Sequence, residues 1–183
     1  NAEVLSKLEQ LDLDAEGVSD AQRLHAKLLK AAVADESRAI ELGCHLLPLN
    51  SIGVGGVHEN FLELLEWMLF EDEDDFKKYL DRLMAFPTQV QGYQDLLAYG
   101  ACMRGMAASK SMMRRVPSRL KELIDGDLAP LQAPLEGKEV DAELTTQIKQ
   151  AFENCFKGSL RGLLDFVEEF YSERAREEPA CKA

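Results

Sequence analysis

The feature that most constrains this chain of 183 residues is a break in an otherwise helical pattern, at residues 44–60. The segment reads CHLLPLNSIGVGGVHEN, in which one proline and three glycines stand among apolar residues. Glycine and proline favour bends and positive φ angles over any regular element. Because the segment is too apolar for a solvated linker, we predict an ordered Gly/Pro-rich loop that is folded against protein.

Two helices are predicted before the break, within residues 1–43. Apolar residues from Val4 to Leu11 give a short helix face, and Ser19 to Gln22 has the pattern of a capping box that opens a longer helix. Gly43 is predicted to end that helix, because glycine tolerates the left-handed conformation at a helix C-terminus.

After the break, Asn60 is predicted to cap a helix over residues 61–70, which read FLELLEWMLF. A helix with so little polar face is buried on several sides, so we expect it at the centre of the fold. The acidic run at 71–75 fits the first turn of the next helix, where carboxylates complement the macrodipole. A calcium loop is the weaker interpretation, because the sequence lacks the glycine and glutamate that such a loop needs at its sixth and twelfth positions.

The rest of the helical body is predicted to extend over residues 61–183. Pro87 is expected to end one helix, since the ring removes a backbone donor and restricts the residue before it. Gly100 and Gly105 indicate a close approach by a neighbouring element or a bend.

A long helical pattern covers residues 141–175, and Gly158 and Gly162 within it are spaced to admit another helix. The sequence shows no internal repeat and no strand alternation. We therefore predict an all-α fold, with residues 1–183 forming a single helical domain or a fragment of one.

Charge and hydropathy exclude several classes of partner. The formal net charge is −12, which repels phosphate backbones, so neither nucleic acid nor an anionic membrane surface is expected to bind. No apolar run approaches the roughly 20 residues that span a bilayer. A hydrophobic fraction of 46% is ordinary for a folded globular protein, and we expect a soluble chain.

The four cysteines are far apart in sequence and form no C-x-x-C pair. They could form disulfides or bind a metal, but we favour Cys44, Cys102 and Cys155 as small apolar core residues. Cys181 lies in a polar tail and is the cysteine most suited to an external partner. Their disulfide state is left open by the sequence.

His58 and Glu59 match half of the zinc metallopeptidase motif H-E-x-x-H. That motif needs a second histidine four residues on, so that both rings reach one ion, and this position is Leu62. We interpret the match as chance, and we predict no catalytic residue and no metal ligand on this chain. A methionine- and aromatic-rich interior would suit an apolar ligand between helices. The residues proposed to line such a substrate or ligand site are His45, Asn50, His58, Trp67, Tyr93 and Met103.

Several motifs, taken in order, resemble one family. They are His45-Leu-Leu-Pro-Leu-Asn50 with the glycines after it, Phe76-x-x-Tyr79-Leu-x-Arg82-Leu83-x-x-Phe86-Pro87, and Leu163-Leu-Asp-Phe166 with the residues to Arg176. Together they look like the N-terminal part of the domain-of-unknown-function 885 family. Its members resemble all-helical zinc metallopeptidases of the carboxypeptidase Taq and angiotensin-converting-enzyme-like group, whose H-E-x-x-H helix lies beyond the part matched here.

The resemblance implies a helical half that flanks a substrate channel, with zinc held by a companion C-terminal polypeptide of the same precursor. The chain has no initiator methionine, so we expect a processed protein, with a secreted or vesicular location slightly favoured. Two alternatives stay open. One is a catalytically inactive carrier of an apolar small molecule or pigment, and the other is a helical interaction module that acts alone.

Overall fold

The computed structural model describes residues 2–13, 15, 17–49, 56–126 and 129–177. Within these ranges every regular element except one isolated bridge is helical, which confirms the all-α prediction. The described residues form two compact units, one up to His45 and another from Leu46 onward. No helix in the described ranges is both long enough and apolar enough to cross a membrane.

The first unit consists of helices α1 (Ala2–Glu9) and α2 (Asp20–Glu41). The predicted capping box is present, because the Ser19 hydroxyl accepts a hydrogen bond from the Gln22 amide and the Gln22 side chain accepts one from the Ser19 amide. Lys30 of α2 lies 3.6 Å from Glu9 of α1. Gly43 has a φ of 80° directly after α2, as expected of a glycine that ends a helix.

A 3-10 helix over Cys44–Leu46 contains the boundary between the two units in the sequence. The second unit contains the remaining helices, which include a 3-10 helix over Ala133–Leu135. The α-helices between them are α3 (Val57–Leu65), α4 (Glu73–Met103), α5 (Lys110–Met113), α6 (Val116–Asp125) and α7 (Ala129–Gln132). Five segments then follow without interruption and are together called the C-terminal helix: α8 (Ala142–Ala151), a π-helix (Phe152–Lys157), α9 (Gly158–Phe166), a second π-helix (Val167–Tyr171) and α10 (Ser172–Arg174).

The core of the second unit lies between α4 and the C-terminal helix. The rings of Phe86 and Phe156 stack with their centroids 4.8 Å apart, and Phe61 of α3 meets Phe86 edge-on at 5.0 Å. Leu46 and Leu49 are each 1% exposed, so the start of the 44–60 segment packs against protein as predicted. Residues 50–55 lie outside the described part of the chain.

The π-helices keep the buried stripe of the C-terminal helix on one side. Its fully or nearly buried residues are spaced mostly by four: Leu144, Ile148, Phe152, Phe156, Leu160, Leu163, Val167 and Tyr171. In an α-helix, which turns by about 100° per residue, this spacing would drift until Tyr171 faced away from Leu144. Each π turn holds an extra residue and cancels part of the drift.

Helix α3 differs from the predicted helix over residues 61–70. It begins at Val57, earlier than the expected cap at Asn60, and it ends at Leu65. Trp67 and Leu69 lie in the turn that follows and are 79% and 67% exposed. The expectation of a helix buried on several sides was wrong, because apolar composition does not determine how many neighbours a segment has.

Helix α4 continues through Pro87, so the predicted helix end at this proline was wrong. A proline inside a helix leaves one carbonyl, that of Leu83, without its usual backbone donor. The neighbouring side chains Phe86 and Val90 are buried on the face toward the core. Their packing offsets the lost bond and holds the helix together.

The predicted roles of the cysteines and of two glycines also need correction. Cys44 and Cys102 are exposed, so they are not core residues, whereas Cys155 is half-buried and packs against the core; all three are free thiols, and Cys181 lies outside the described residues. A Cβ added at Gly162 would meet nothing within 4 Å, so this glycine admits no neighbouring helix. At Gly158 the only contact would be the Glu153 carbonyl of the same helix, at 3.7 Å.

The close approach occurs instead at Gly100, one of the two glycines predicted to mark an approach or a bend. A Cβ there would lie 3.0 Å from both the Leu46 Cβ and the Met106 carbonyl oxygen. Gly105 has a φ of 62° and forms the bend after α4.

Candidate functional site

The residues predicted to line a ligand site lie in different environments. His58 is fully buried in α3, and Tyr93 is half-buried in α4, where it packs against the core. Asn50 lies outside the described residues, so its prediction is neither supported nor contradicted.

The other three predicted residues are exposed. His45 lies in the 3-10 helix that starts at Cys44, Trp67 follows α3, and Met103 is 71% exposed at the end of α4. Along α4, Met103 lies about 15 Å from Tyr93 at 1.5 Å per residue. The expected methionine- and aromatic-rich interior is therefore wrong for Trp67 and Met103.

His58 is the most unusual polar residue of the described part. Both ring nitrogens, Nδ1 and Nε2, are buried and have no hydrogen-bond partner. Burial lowers the pKa of His58, and the nearby Arg119 guanidinium lowers it further, against the opposing effect of the Glu59 carboxylate. The imidazole is consequently neutral at pH 7.

Glu59, the next residue of α3, forms a two-point ion pair with Arg119 of α6. Arg119 Nε lies 2.5 Å from Glu59 Oε1, and Arg119 Nη2 lies 3.2 Å from Glu59 Oε2. The hydrogen bonds from Arg119 lower the pKa of Glu59, although partial burial acts in the opposite direction. Such a fork-to-fork pair fixes geometry as well as charge.

This arrangement is suited to holding α3 against α6 rather than to catalysis. A general base must accept a proton from a substrate, and both Glu59 oxygens are engaged by Arg119. Within the described ranges, no three His, Cys, Asp or Glu side chains come close enough to hold a metal ion. The described residues therefore do not fit the zinc centre that the family resemblance implies.

A groove between α4 and the start of the C-terminal helix is the clearest recess described. Its volume is about 420 Å³. The lining is apolar with three side-chain amides: Leu80, Met84, Gln147, Gln150, Ala151, Asn154 and Cys155.

The groove continues into a second, acidic hollow of about 410 Å³. Leu80 and Gln147 line both hollows, so they mark the junction. The remaining residues of the acidic end are Glu73, Lys77, Asp81, Asp141, Glu143 and Leu144. Four carboxylates thus stand around one lysine, and that lysine is paired with Glu73 at 2.7 Å.

Sequence reasoning missed this groove. A signal was present, because Leu80 and Met84 are four residues apart and lie beside the stripe of α4 that faces the core. Gln147, Gln150 and Asn154 likewise share one side of the C-terminal helix. Only the packing of the two helices shows that these residues face a common space.

The fold and these surfaces define an all-α protein with a helical core, a partly exposed ion pair between two helices and an open groove between two others. The chain belongs to the family described as "Bacterial protein of unknown function (DUF885)", whose sequence model matches residues 1–183. Comparison with curated proteins finds no match, and comparison with solved structures finds none either.

Proposed function

We propose that this chain is the non-catalytic helical part of a zinc-metallopeptidase-like protein. A companion polypeptide, the C-terminal part of the same precursor, carries the H-E-x-x-H helix and the metal. The family membership supports this proposal, since the resemblance given by the sequence motifs implies helical metallopeptidases whose zinc helix lies beyond the part matched. The role of the chain is then to support a substrate channel and to dock the catalytic part.

The observation that carries the proposal is the apolar turn at residues 67–69, here called the Trp67 turn, in which Trp67 and Leu69 are exposed while Met68 between them packs against the core. Trp67 and Leu69 are 79% and 67% exposed, while the neighbouring Phe70 packs against the core. Large aromatic side chains at protein interfaces contribute disproportionately to binding, so an exposed tryptophan beside an exposed leucine fits a docking surface.

The buried residues of the C-terminal helix are not part of this docking surface. The apolar residues of that helix pack against other helices of the second unit, including α4 and α6. The docking surface of the proposal is accordingly limited to the Trp67 turn.

Purification of the native particle tests the proposal. Intact-mass analysis is expected to find a second polypeptide that contains H-E-x-x-H, with about one zinc ion per particle. Trp67 is the single tryptophan of the chain. If the companion contains no tryptophan, or is labelled with a non-fluorescent tryptophan analogue, the tryptophan fluorescence of the complex comes from Trp67 alone. Docking should shift its emission to shorter wavelength, because the indole leaves water.

Two outcomes would overturn the proposal. One is a native particle without any H-E-x-x-H polypeptide, and the other is a companion that binds without changing the Trp67 emission. A matched pair of variants locates the surface: Trp67→Ala should weaken association, whereas Met103→Ala, which truncates another exposed side chain, should leave it unchanged.

The second candidate function is a carrier of an apolar small molecule or pigment, with no enzymatic role. The groove of about 420 Å³ favours it, because binding pockets for small ligands begin near 300 Å³. Mass spectrometry and absorbance of the native material test it directly. A ligand-free mass with no absorbance above that of the aromatic residues would argue against a carrier.

A further inference from the structure

The groove between α4 and α8 is polarised along its length. Glu73 and Asp141 lie at the acidic end, and both stand at the start of their helices. Met84 and Asn154 lie at the apolar end, farther along the same two chains. The two helices therefore run in the same direction, from the acidic end to the apolar end.

The dimensions of the groove suit a third helix. From Glu73 to Met84 the floor extends about 16 Å at 1.5 Å per residue, which is the length of roughly three helical turns. Two adjacent parallel helices present a furrow into which a further helix can pack at an axis separation of about 8–10 Å. Met84 is 60% exposed at the apolar end, so part of the furrow floor is uncovered in this chain.

The charges restrict which helix fits. The acidic end carries Glu73, Asp81, Asp141 and Glu143 against one cation, Lys77. The carboxylates of the acidic end raise the pKa of Lys77. The largest cause is its hydrogen bond to Glu73, and the charges of Asp74 and Asp141 act in the same direction. A basic occupant is favoured and an acidic one is repelled.

The helix macrodipoles determine which orientation of the occupant is favoured. An incoming helix that runs antiparallel to α4 and α8 places its C-terminus near their N-termini, which is the favourable alignment of dipoles. Lysine and arginine are also preferred in the last turn of a helix, because they complement the partial negative charge of its own C-terminus. Its basic last turn then meets the carboxylates, and its aliphatic residues lie on Leu80 and Met84.

We propose that this groove binds an amphipathic helix of a partner protein, antiparallel to α4, with aliphatic residues on one face and lysine or arginine in its last turn. The three amides, Gln147, Gln150 and Asn154, line one wall and can bond to polar groups at the edge of the partner helix. This inference is independent of the metallopeptidase-like proposal, since it concerns a different surface from the Trp67 turn and requires no zinc; it competes with the carrier function for the same groove.

Titration of the full chain with a fluorescent helical peptide of 14 residues tests the inference. The peptide carries leucines at helical spacing and three lysines in its last turn, and its control carries glutamates in place of the lysines. We expect saturable binding of the basic peptide, at least tenfold tighter than that of the acidic one and weaker at high salt because the acidic end contributes charge attraction.

Matched substitutions then locate the binding. Met84→Lys should lower affinity for the basic peptide at least tenfold, whereas Met103→Lys, an exposed methionine at the far end of the same helix, should change it less than twofold. The pair Asp81→Asn with Glu143→Gln should reduce the salt dependence, and Asp165→Asn, an exposed acid of α9 outside the groove, should not. All five substituted side chains are exposed, so none of these variants removes a core contact. Cooperative thermal unfolding of each variant checks that the fold is kept.

Three results would overturn the inference. The basic peptide binds no better than the acidic one, or Met84→Lys and Met103→Lys weaken binding equally, or the peptide fails to bind at millimolar concentration. A parallel titration with dodecyltrimethylammonium, a small amphiphile that is also apolar and cationic, distinguishes a small-molecule site from a site for a helix. If that amphiphile binds in a Met84-dependent manner and the peptide does not, the groove is a small-molecule site and the partner helix is ruled out.

Discussion

Glu59 and Arg119 are sixty residues apart in sequence, yet they form a two-point ion pair that links α3 to α6. Both guanidinium contacts are within hydrogen-bond distance, and the Glu59 side chain is 24% exposed. Since the carboxylate is partly shielded from water, the pair is stronger than one on an open surface.

Substitution of Glu59 by glutamine is expected to lower the free energy of unfolding by about 1–2 kcal/mol, which is below the roughly 1.5–3 kcal/mol of hydrogen bonds to charged groups because the Arg119 side chain is 38% exposed and screened by water. The shape is preserved, so the loss reflects charge and hydrogen bonding. Urea denaturation of the purified chain measures it. Glu168→Gln is the control, because Glu168 forms a single, more exposed contact with Lys121 at 2.7 Å and should contribute about 0.5 kcal/mol or less. Equal losses in the two variants would contradict the special role of Glu59.

His58 is expected to make the protein less stable in acid. Its folded-state pKa lies below the ordinary value of 6.5, so below that pH the unfolded chain binds a proton that the folded chain does not. The free energy of unfolding should therefore fall with decreasing pH from about 6.5 down to the folded pKa, by at most about 1.4 kcal/mol per pH unit.

His58→Phe should remove that part of the pH dependence. It should also stabilise the protein at pH 8 by about 1 kcal/mol, because two buried polar atoms without partners are replaced by a ring of similar shape. Urea unfolding at several pH values between 8 and 5 measures both effects. The control variant is His45→Gln, which replaces an exposed histidine outside α3. An unchanged slope in His58→Phe would refute the assignment.

Pro87 is expected to weaken α4. Replacement by alanine restores the backbone donor to the Leu83 carbonyl, while it also raises the entropy of the unfolded chain. The net gain should be about 1–2 kcal/mol, measured by thermal unfolding. Pro117→Ala makes a suitable comparison, because Pro117 lies in the first turn of α6, where no such bond is missing; it should give no gain. A loss of stability in Pro87→Ala would show that the ring itself is needed in the core.

Gly100 is expected to tolerate no side chain. In Gly100→Ala the new methyl would lie 3.0 Å from the Leu46 Cβ and from the Met106 carbonyl oxygen, and neither can move without shifting backbone. We expect a loss of about 1–3 kcal/mol from overpacking. Gly92→Ala lies in the same helix with nothing within 4 Å of its new methyl and should gain about 0.5–1 kcal/mol. Opposite signs for the two variants, read from their melting temperatures, confirm the contact.

The sequence predicted the local ends of several helices. The Ser19 capping box, the acidic residues in the first turn of α4 and Gly43 after α2 are all where their chemistry places them, since each acts on backbone groups a few residues away. The same reasoning failed at Pro87, where packing against the core outweighs a lost hydrogen bond. It also failed at Trp67, because hydrophobicity alone does not distinguish a core residue from a surface residue that awaits a partner.

The candidate sites were the least predictable part. The ion pair of Glu59 joins residues that no local pattern connects, and the groove exists only because Leu80 and Met84 of one helix meet Gln147 and Asn154 of another. The residues chosen from composition differ in exposure, with His58 buried and Met103 exposed.

The sequence by itself determined an all-α protein, because periodicity, caps and glycines act within a few residues of chain and need no tertiary contact. Only the tertiary structure decided which apolar side chains are covered, which charges pair and where two helices leave a groove between them. Those properties depend on distances between residues far apart in sequence, and the packing of α4 against the C-terminal helix sets these distances.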